Sequence, residues 1–186
     1  MGAVDDVIAL YADRGGEHHG ELIDQRSHAV QCADLARSEG APDHLVLAAL
    51  LHDIGHLVAT AGCGARTDLA VDDDRHEAVG ARWIAPRFGS AVALPVALHV
   101  TAKRYRCRID PAYAAGLSPA SVQTLLAQGG PLDDSAALRF EAHPGSAEAL
   151  LLRRWDEAAK DPLLPAGSIE RFLPELGRLE VTVTER

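Results

Sequence analysis

Along this chain apolar side chains recur every three or four positions, the spacing of helices that bury one face. The clearest run is Pro42 to Ile54, PDHLVLAALLHDI, where Leu45, Ala48, Ala49 and Leu51 fall on helical spacing. Pro42 suits a first helical position, and Gly55 follows as a stop signal. Upstream, Ser27 to Ser38 carries the same spacing and ends before Gly40. A Gly- and Asp-rich connection, Ala61 to Asp74, leads to Arg75 to Phe88, which reads as another helix. Ser90 to Tyr105, Pro119 to Gln128, Asp133 to Ala142 and Gly145 to Lys160 read likewise. Val181 to Thr184 is β-branched, but four residues are weak grounds for a strand. With no repeat, low-complexity tract or linker, the pattern predicts one all-α domain over residues 1–186.

Composition narrows the possible partners. The 186 residues are 47% apolar and 24% charged, the balance of an ordinary globule. A domain of this size buries roughly 70% of its unfolded surface, so its core needs no disulfide or structural metal, and a metal site is read as functional first. Eighteen basic against 27 acidic residues leave a net charge of −9, which argues against nucleic acid and anionic membranes as partners. No apolar run approaches the ~20 residues of a membrane span. The acidic start, MGAVDD, is not a secretory n-region. Cys32, Cys63 and Cys107 are too few and too scattered for a disulfide framework. These features predict a cytoplasmic protein.

The candidate chemistry lies in the histidines. His52 and Asp53 are adjacent at the end of the most apolar helix, where a carboxylate is costly unless it is paired or binds a metal; the plain alternative is an Asp that caps the next turn. His28 sits on the preceding helix, His76 opens the following one, and His99 lies in the apolar run ALPVALHVT. Asp156, beside Trp155, is a second inward carboxylate candidate. Four imidazoles and two carboxylates converging from several helices are the inventory of a dinuclear site. Such donors suit iron, manganese or zinc better than magnesium or calcium. His44 and His143 have no partner at ligand spacing and are read as surface residues.

His28, the pair His52-Asp53 within LLHDIGH, and Asp156 match the H…HD…D pattern of the HD-domain superfamily, with His76 and His99 as the extra ligands of its dinuclear members. Glu21, His56, Lys103 and the segments LSPASVQTLLAQGGP and LRRWDEAAKDP narrow the match. From about Glu17 to Pro162 the chain resembles the mixed-valent diiron oxygenases of phosphonate catabolism, whose type is the glycine-forming 2-amino-1-hydroxyethylphosphonate dioxygenase. The resemblance implies an HD-domain helical bundle with its metal-binding core at about 17–162 and a C-terminal helical extension over 163–186. It implies two iron ions, Fe(II)/Fe(III), with O2 as cosubstrate. His28, His52, Asp53 and Asp156 would bind one iron, and Asp53, His76 and His99 the other, Asp53 bridging.

The same resemblance implies that His56 and Lys103 act on the substrate as catalytic groups, and that with Ser121 and Arg153 they grip an organophosphonate. Ser118 and Gln128 are further candidates. Glu21 is implied to face a substrate amino group, which favours an amino or methylated-amino tail; its plain alternative is a helix N-terminal charge. Where the family type has a tyrosine that substrate displaces from an iron, this chain has His18, with His19 beside it. The implied reaction cleaves the C–P bond of a 1-hydroxyphosphonate to phosphate and a carboxylic acid. The implied pathway partner is a 2-oxoglutarate-dependent iron hydroxylase. Two other readings compete: a metal-dependent HD-type phosphohydrolase acting on a phosphate ester or nucleotide, and a degenerate, non-enzymatic binding domain.

Overall fold

The computed structural model describes residues 2–18, 21–60, 75–164 and 167–181. Among them every regular element is helical, as the apolar spacing predicts. α1 (Ala3–Arg14) and α2 (Gln25–Ser38) lead into α3 (Asp43–Leu51), whose residues Leu45 through Leu51 are all buried. A helix that is apolar all round belongs at the centre of a core. α2 packs along α3, and α6 (Ser90–Ile109) crosses the same helix. Two further helices pack on α6: α5 (His76–Phe88) and α10 (Ser146–Ala158).

Helix ends follow local chemistry. The Asp24 carboxylate accepts the Ser27 amide at 2.7 Å and starts α2. Ser118 does the same for Ser121 at 3.1 Å, with Pro119 in the first turn, at the head of α8 (Pro119–Ala127). Asp110 caps α7 (Pro111–Ala115) and Asp133 caps α9 (Asp134–Glu141). Gly89, at φ 85°, makes the sharp break between α5 and α6. The C-terminal segment, a 3-10 turn at Ile169–Phe172 followed by α11 (Leu173–Leu179), buries Ile169, Phe172 and Leu176 in the main core.

Two sequence expectations are corrected. α1 is a helix that the spacing did not predict; only its Val7 and Tyr11 are buried, too few for a visible period. Nor does the run from Pro42 form one helix stopped by Gly55. α3 ends at Leu51, the chain turns through His52 and Asp53, and α4 (Ile54–Thr60) begins at once and carries Gly55 inside it. Gly55 is there for proximity: a Cβ on it would lie 1.9 Å from the His76 carbonyl oxygen, so α4 meets α5 backbone to backbone. The connection at 61–74, Cys63, and 182–184 lie outside the described residues. Among the described residues no helix is long and apolar enough to cross a membrane.

Candidate metal centre

The turn between α3 and α4 aims His52 and Asp53 to one side of the bundle, where α2 brings His28, α5 His76 and α6 His99. His28 Nε2 lies 3.2 Å from His52 Nε2, and His76 Nε2 lies 3.1 Å from His99 Nε2. Asp53 stands between the pairs. Its Oδ2 is 3.9 Å and 3.6 Å from His28 and His52, and its Oδ1 is 3.5 Å and 3.7 Å from His76 and His99. Asp156, from α10, adds Oδ1 at 3.2 Å from His28 and 3.8 Å from His52. The donors thus form two groups that share Asp53: His28, His52 and Asp53; and Asp53, His76 and His99.

The far side of each ring tests whether these groups fit a metal. His28 Nδ1 meets the Ala159 carbonyl at 2.7 Å, His52 Nδ1 the Ala49 carbonyl at 2.9 Å, and His99 Nδ1 the Val96 carbonyl at 2.7 Å. A carbonyl only accepts, so the proton sits on each Nδ1 and a neutral ring turns the Nε2 lone pair inward. Lone pairs 3.2 Å apart repel unless a cation lies between them. The donors fit a metal on that ground. Without one, a proton takes the place: burial works against charging His52, but Asp53, Cys32 and Asp156 raise its pKa well above the usual imidazole range.

Charge is organised in the same sense. Burial opposes ionisation of Asp53, yet the imidazoles of His52, His56 and His76 hold it well below the usual carboxylate range. Burial likewise opposes ionisation of Asp156, and the Arg153 guanidinium beside its other oxygen prevails, aided by His28 and His52. His99 is pushed down to about 3 by burial and by its neighbours His76 and His52, so it is neutral and ready to ligate. His56, one turn after His52, stacks on the His76 ring at 4.1 Å between centroids.

A polar wall stands beside the cluster. Lys103, one turn past His99 and only 3% exposed, donates to Thr124 Oγ1 at 3.0 Å. Burial and then the Arg153 charge push its pKa down to about 8. Arg153 donates from Nε to Tyr113 Oη at 2.6 Å and from its two terminal nitrogens to Asp156 and Glu157. Lys160, just past α10, lies 2.8 Å from Glu21 Oε1 and 2.9 Å from Ser121 Oγ, and Ser118 Oγ donates to the same Glu21 oxygen at 2.9 Å.

The family model for the HD domain matches residues 26–159 of this chain, which include all six cluster residues. The chain belongs to the HD-domain family. Over 173 residues this HD domain is 40% identical to hydroxymethylphosphonate dioxygenase of Gimesia maris, covering 93% of the chain and 86% of that protein. Over 177 residues it is 34% identical to the glycine-betaine-forming [1-hydroxy-2-(trimethylamino)ethyl]phosphonate dioxygenase of Leisingera caerulea, covering 95% and 89%. Within the family it therefore stands with the phosphonate dioxygenases.

All six candidate ligands read from the sequence meet in this HD domain. Lys103, Arg153, Ser121, Ser118 and Glu21 line the polar wall or connect to it, and His56 lies against His76. His18 is exposed and outside both ligand groups, and His19 lies outside the described residues. Gln128 ends α8 with its buried Oε1 unpaired among the described residues. His44, read as a surface residue, is partly buried against Glu148 at 3.0 Å. Sequence reasoning missed Thr124 and Lys160. Both carried a signal: Thr124 is one turn after Ser121, and Lys160 follows Asp156 at the same four-residue spacing by which Lys103 follows His99.

Proposed function

We propose that this chain is a diiron oxygenase that uses O2 to cleave the C–P bond of a 1-hydroxyphosphonate, giving inorganic phosphate and a carboxylic acid. One observation carries the reading: a carboxylate shared between two inward-facing imidazole pairs, in a chain 40% identical over nearly its whole length to a hydroxymethylphosphonate dioxygenase. Both named relatives act on a carbon that bears a hydroxyl and the phosphorus together, and that unit is the proposed substrate core.

The reaction balances without an outside reductant. The carbon loses its hydrogen and its bond to phosphorus and passes from alcohol to carboxylic acid, giving up four electrons. One O2 accepts those four electrons, and its two oxygen atoms end in the acid and the phosphate. Iron supplies the redox capacity and open positions for O2 and substrate oxygen; zinc, which this donor set also suits, has no redox chemistry.

In this reading His28, His52, Asp53 and Asp156 hold one iron, and Asp53, His76 and His99 hold the other. Lys103 and Arg153 neutralise the phosphonate oxygens, and Arg153 still has two N–H donors beyond its three protein contacts. His56 and Ser121 complete the grip, and His56 and Lys103 are the groups placed to hold or pass a proton at a phosphonate oxygen. Ser118, Gln128 and His18 are lesser candidates. We propose one domain throughout, with 163–186 as its extension. A phosphonate without the hydroxyl would first need hydroxylation, for which a 2-oxoglutarate-dependent iron enzyme is the expected partner.

The test is phosphate release from hydroxymethylphosphonate by iron-loaded protein, with and without O2, beside a generic phosphate ester. Release that requires O2 is expected. Release from the ester alone, indifferent to O2, would replace the reading with the HD-type phosphohydrolase.

A further inference from the structure

Gln31 follows His28 by three positions on α2, so the two side chains leave the same face of that helix. Both reach the chain just beyond α10. His28 Nδ1 donates to the Ala159 carbonyl at 2.7 Å. Gln31 pairs with Asp161 in both directions: its Nε2 donates to the Asp161 carbonyl at 2.9 Å, and its Oε1 accepts the Asp161 amide at 3.1 Å. Leu164 reaches the same carbonyl only at 3.4 Å. One side-chain amide thereby pairs with both backbone groups of a residue 130 positions away, as a neighbouring strand would. Only one orientation of that amide satisfies both bonds, and the side chain is buried.

The segment needs such a clamp. α10 stops at Ala158, and Ala159, at φ −90° and ψ 51°, has already left the helix. Its amide still reaches back to the Trp155 carbonyl at 2.9 Å, but the direction of its own carbonyl depends on where the chain goes next. Gln31 fixes that course two residues on. Lys160, between Ala159 and Asp161, is set by the same clamp, its ammonium 2.8 Å from Glu21. Asp161 is exposed, so without Gln31 its backbone groups can turn to water, and the segment leaves α2 at little cost to the fold. What is lost is the carbonyl that keeps the His28 proton on Nδ1 and its Nε2 lone pair turned inward.

We infer that Gln31 is a positioning residue of the metal centre: by clamping Asp161 it holds the Ala159 carbonyl on His28, and so strengthens metal binding in the half of the centre that His28 serves. The inference rests on the reading that the cluster binds two metal ions. It concerns one half only, because His76 and His99 come from α5 and α6 and neither is tied to the 159–161 segment by the bonds named here.

The experiment measures iron(II) dissociation constants without O2, by competition with a chromogenic chelator. Two backgrounds each keep one half of the centre: His99→Ala leaves His28, His52, Asp53 and Asp156, and His28→Ala leaves Asp53, His76 and His99. Gln31→Met, similar in length but without polar ends, is expected to weaken iron binding about tenfold or more in the first background and less than about twofold in the second. Gln31→Glu, which removes only the donor to the Asp161 carbonyl, loses on the same side. In the otherwise unaltered chain Gln31→Met raises one of the two dissociation constants and leaves the other. A role in folding alone would weaken both halves together, so equal losses in the two backgrounds, or no loss in the first, overturn the inference. A wild type that binds no iron removes the metal-centre reading and the inference with it. Iron bound with the one-sided loss, but no O2-dependent phosphate release, leaves the inference standing and removes the oxygenase reading.

Discussion

Asp53 offers one oxygen to each imidazole pair, so a single substitution there would remove a candidate ligand and a neutralising charge from both halves of the proposed centre. Asp53→Asn keeps the shape. It is expected to drop bound metal from about two ions per chain to fewer than about one, whereas His99→Ala leaves the His28, His52, Asp53 and Asp156 side with one. Metal analysis after dialysis checks this, and two ions retained by the Asn variant would refute the shared role. Lys103 sets a pH limit. A lysine carries its charge below its pKa, and burial with Arg153 brings that value down to about 8. Phosphonate affinity should therefore hold below pH 8 and weaken by about tenfold per unit above it as the ammonium is lost. Lys103→Met should bind weakly at every pH with that break gone; a break that persists in the variant assigns it to another group.

Between elements, the decisive contact is backbone on backbone at α4 and α5. A methyl group on Gly55 would meet the His76 carbonyl at 1.9 Å and the Gly80 amide nitrogen at 2.9 Å, so Gly55→Ala must push the helices apart. The expected loss is ~1–3 kcal/mol in denaturant melts. The metal shared by Asp53, His76 and His99 should be lost first, because those ligands straddle the moved junction. Gly177, inside α11, has nothing within 4 Å of such a methyl. Gly177→Ala should stabilise by ~0.5–1 kcal/mol through helix propensity alone. Two glycine-to-alanine changes of opposite sign separate close approach from conformational freedom.

At the scale of the molecule, the candidate ligands come from α2, the α3–α4 turn, α5, α6 and α10, so bound metal would tie together elements far apart in the chain. Chelation should lower the melting temperature, since a ligand bound only by the native state adds ~2.7 kcal/mol at a hundred times its dissociation constant. The C-terminal segment belongs to the same unit: Phe172 is 0% exposed in the main core, with Ile169 and Leu176 beside it. Phe172→Ala should cost ~3–5 kcal/mol and lower a single melting transition. An early, separate transition that left the metal centre intact would mean that 163–186 is an appendage.

The sequence by itself determined the helical class, most helix positions and all six candidate ligands. Those follow from local physics: apolar spacing reports which face is buried, and a His or Asp among such residues needs a partner. It could not show that α3 breaks at Leu51, because Gly55 reads as a stop until His76, 21 positions on, arrives against it. Nor could it show α1, whose two buried residues leave no period. Only the tertiary structure decided that Asp53 faces both imidazole pairs and that Lys160 sits on Glu21. Spacing along one helix tells which side chains share a face. The charge a side chain meets across the bundle, 139 residues away in sequence, depends on how the helices pack, and here that packing sets the Lys160 ammonium 2.8 Å from Glu21.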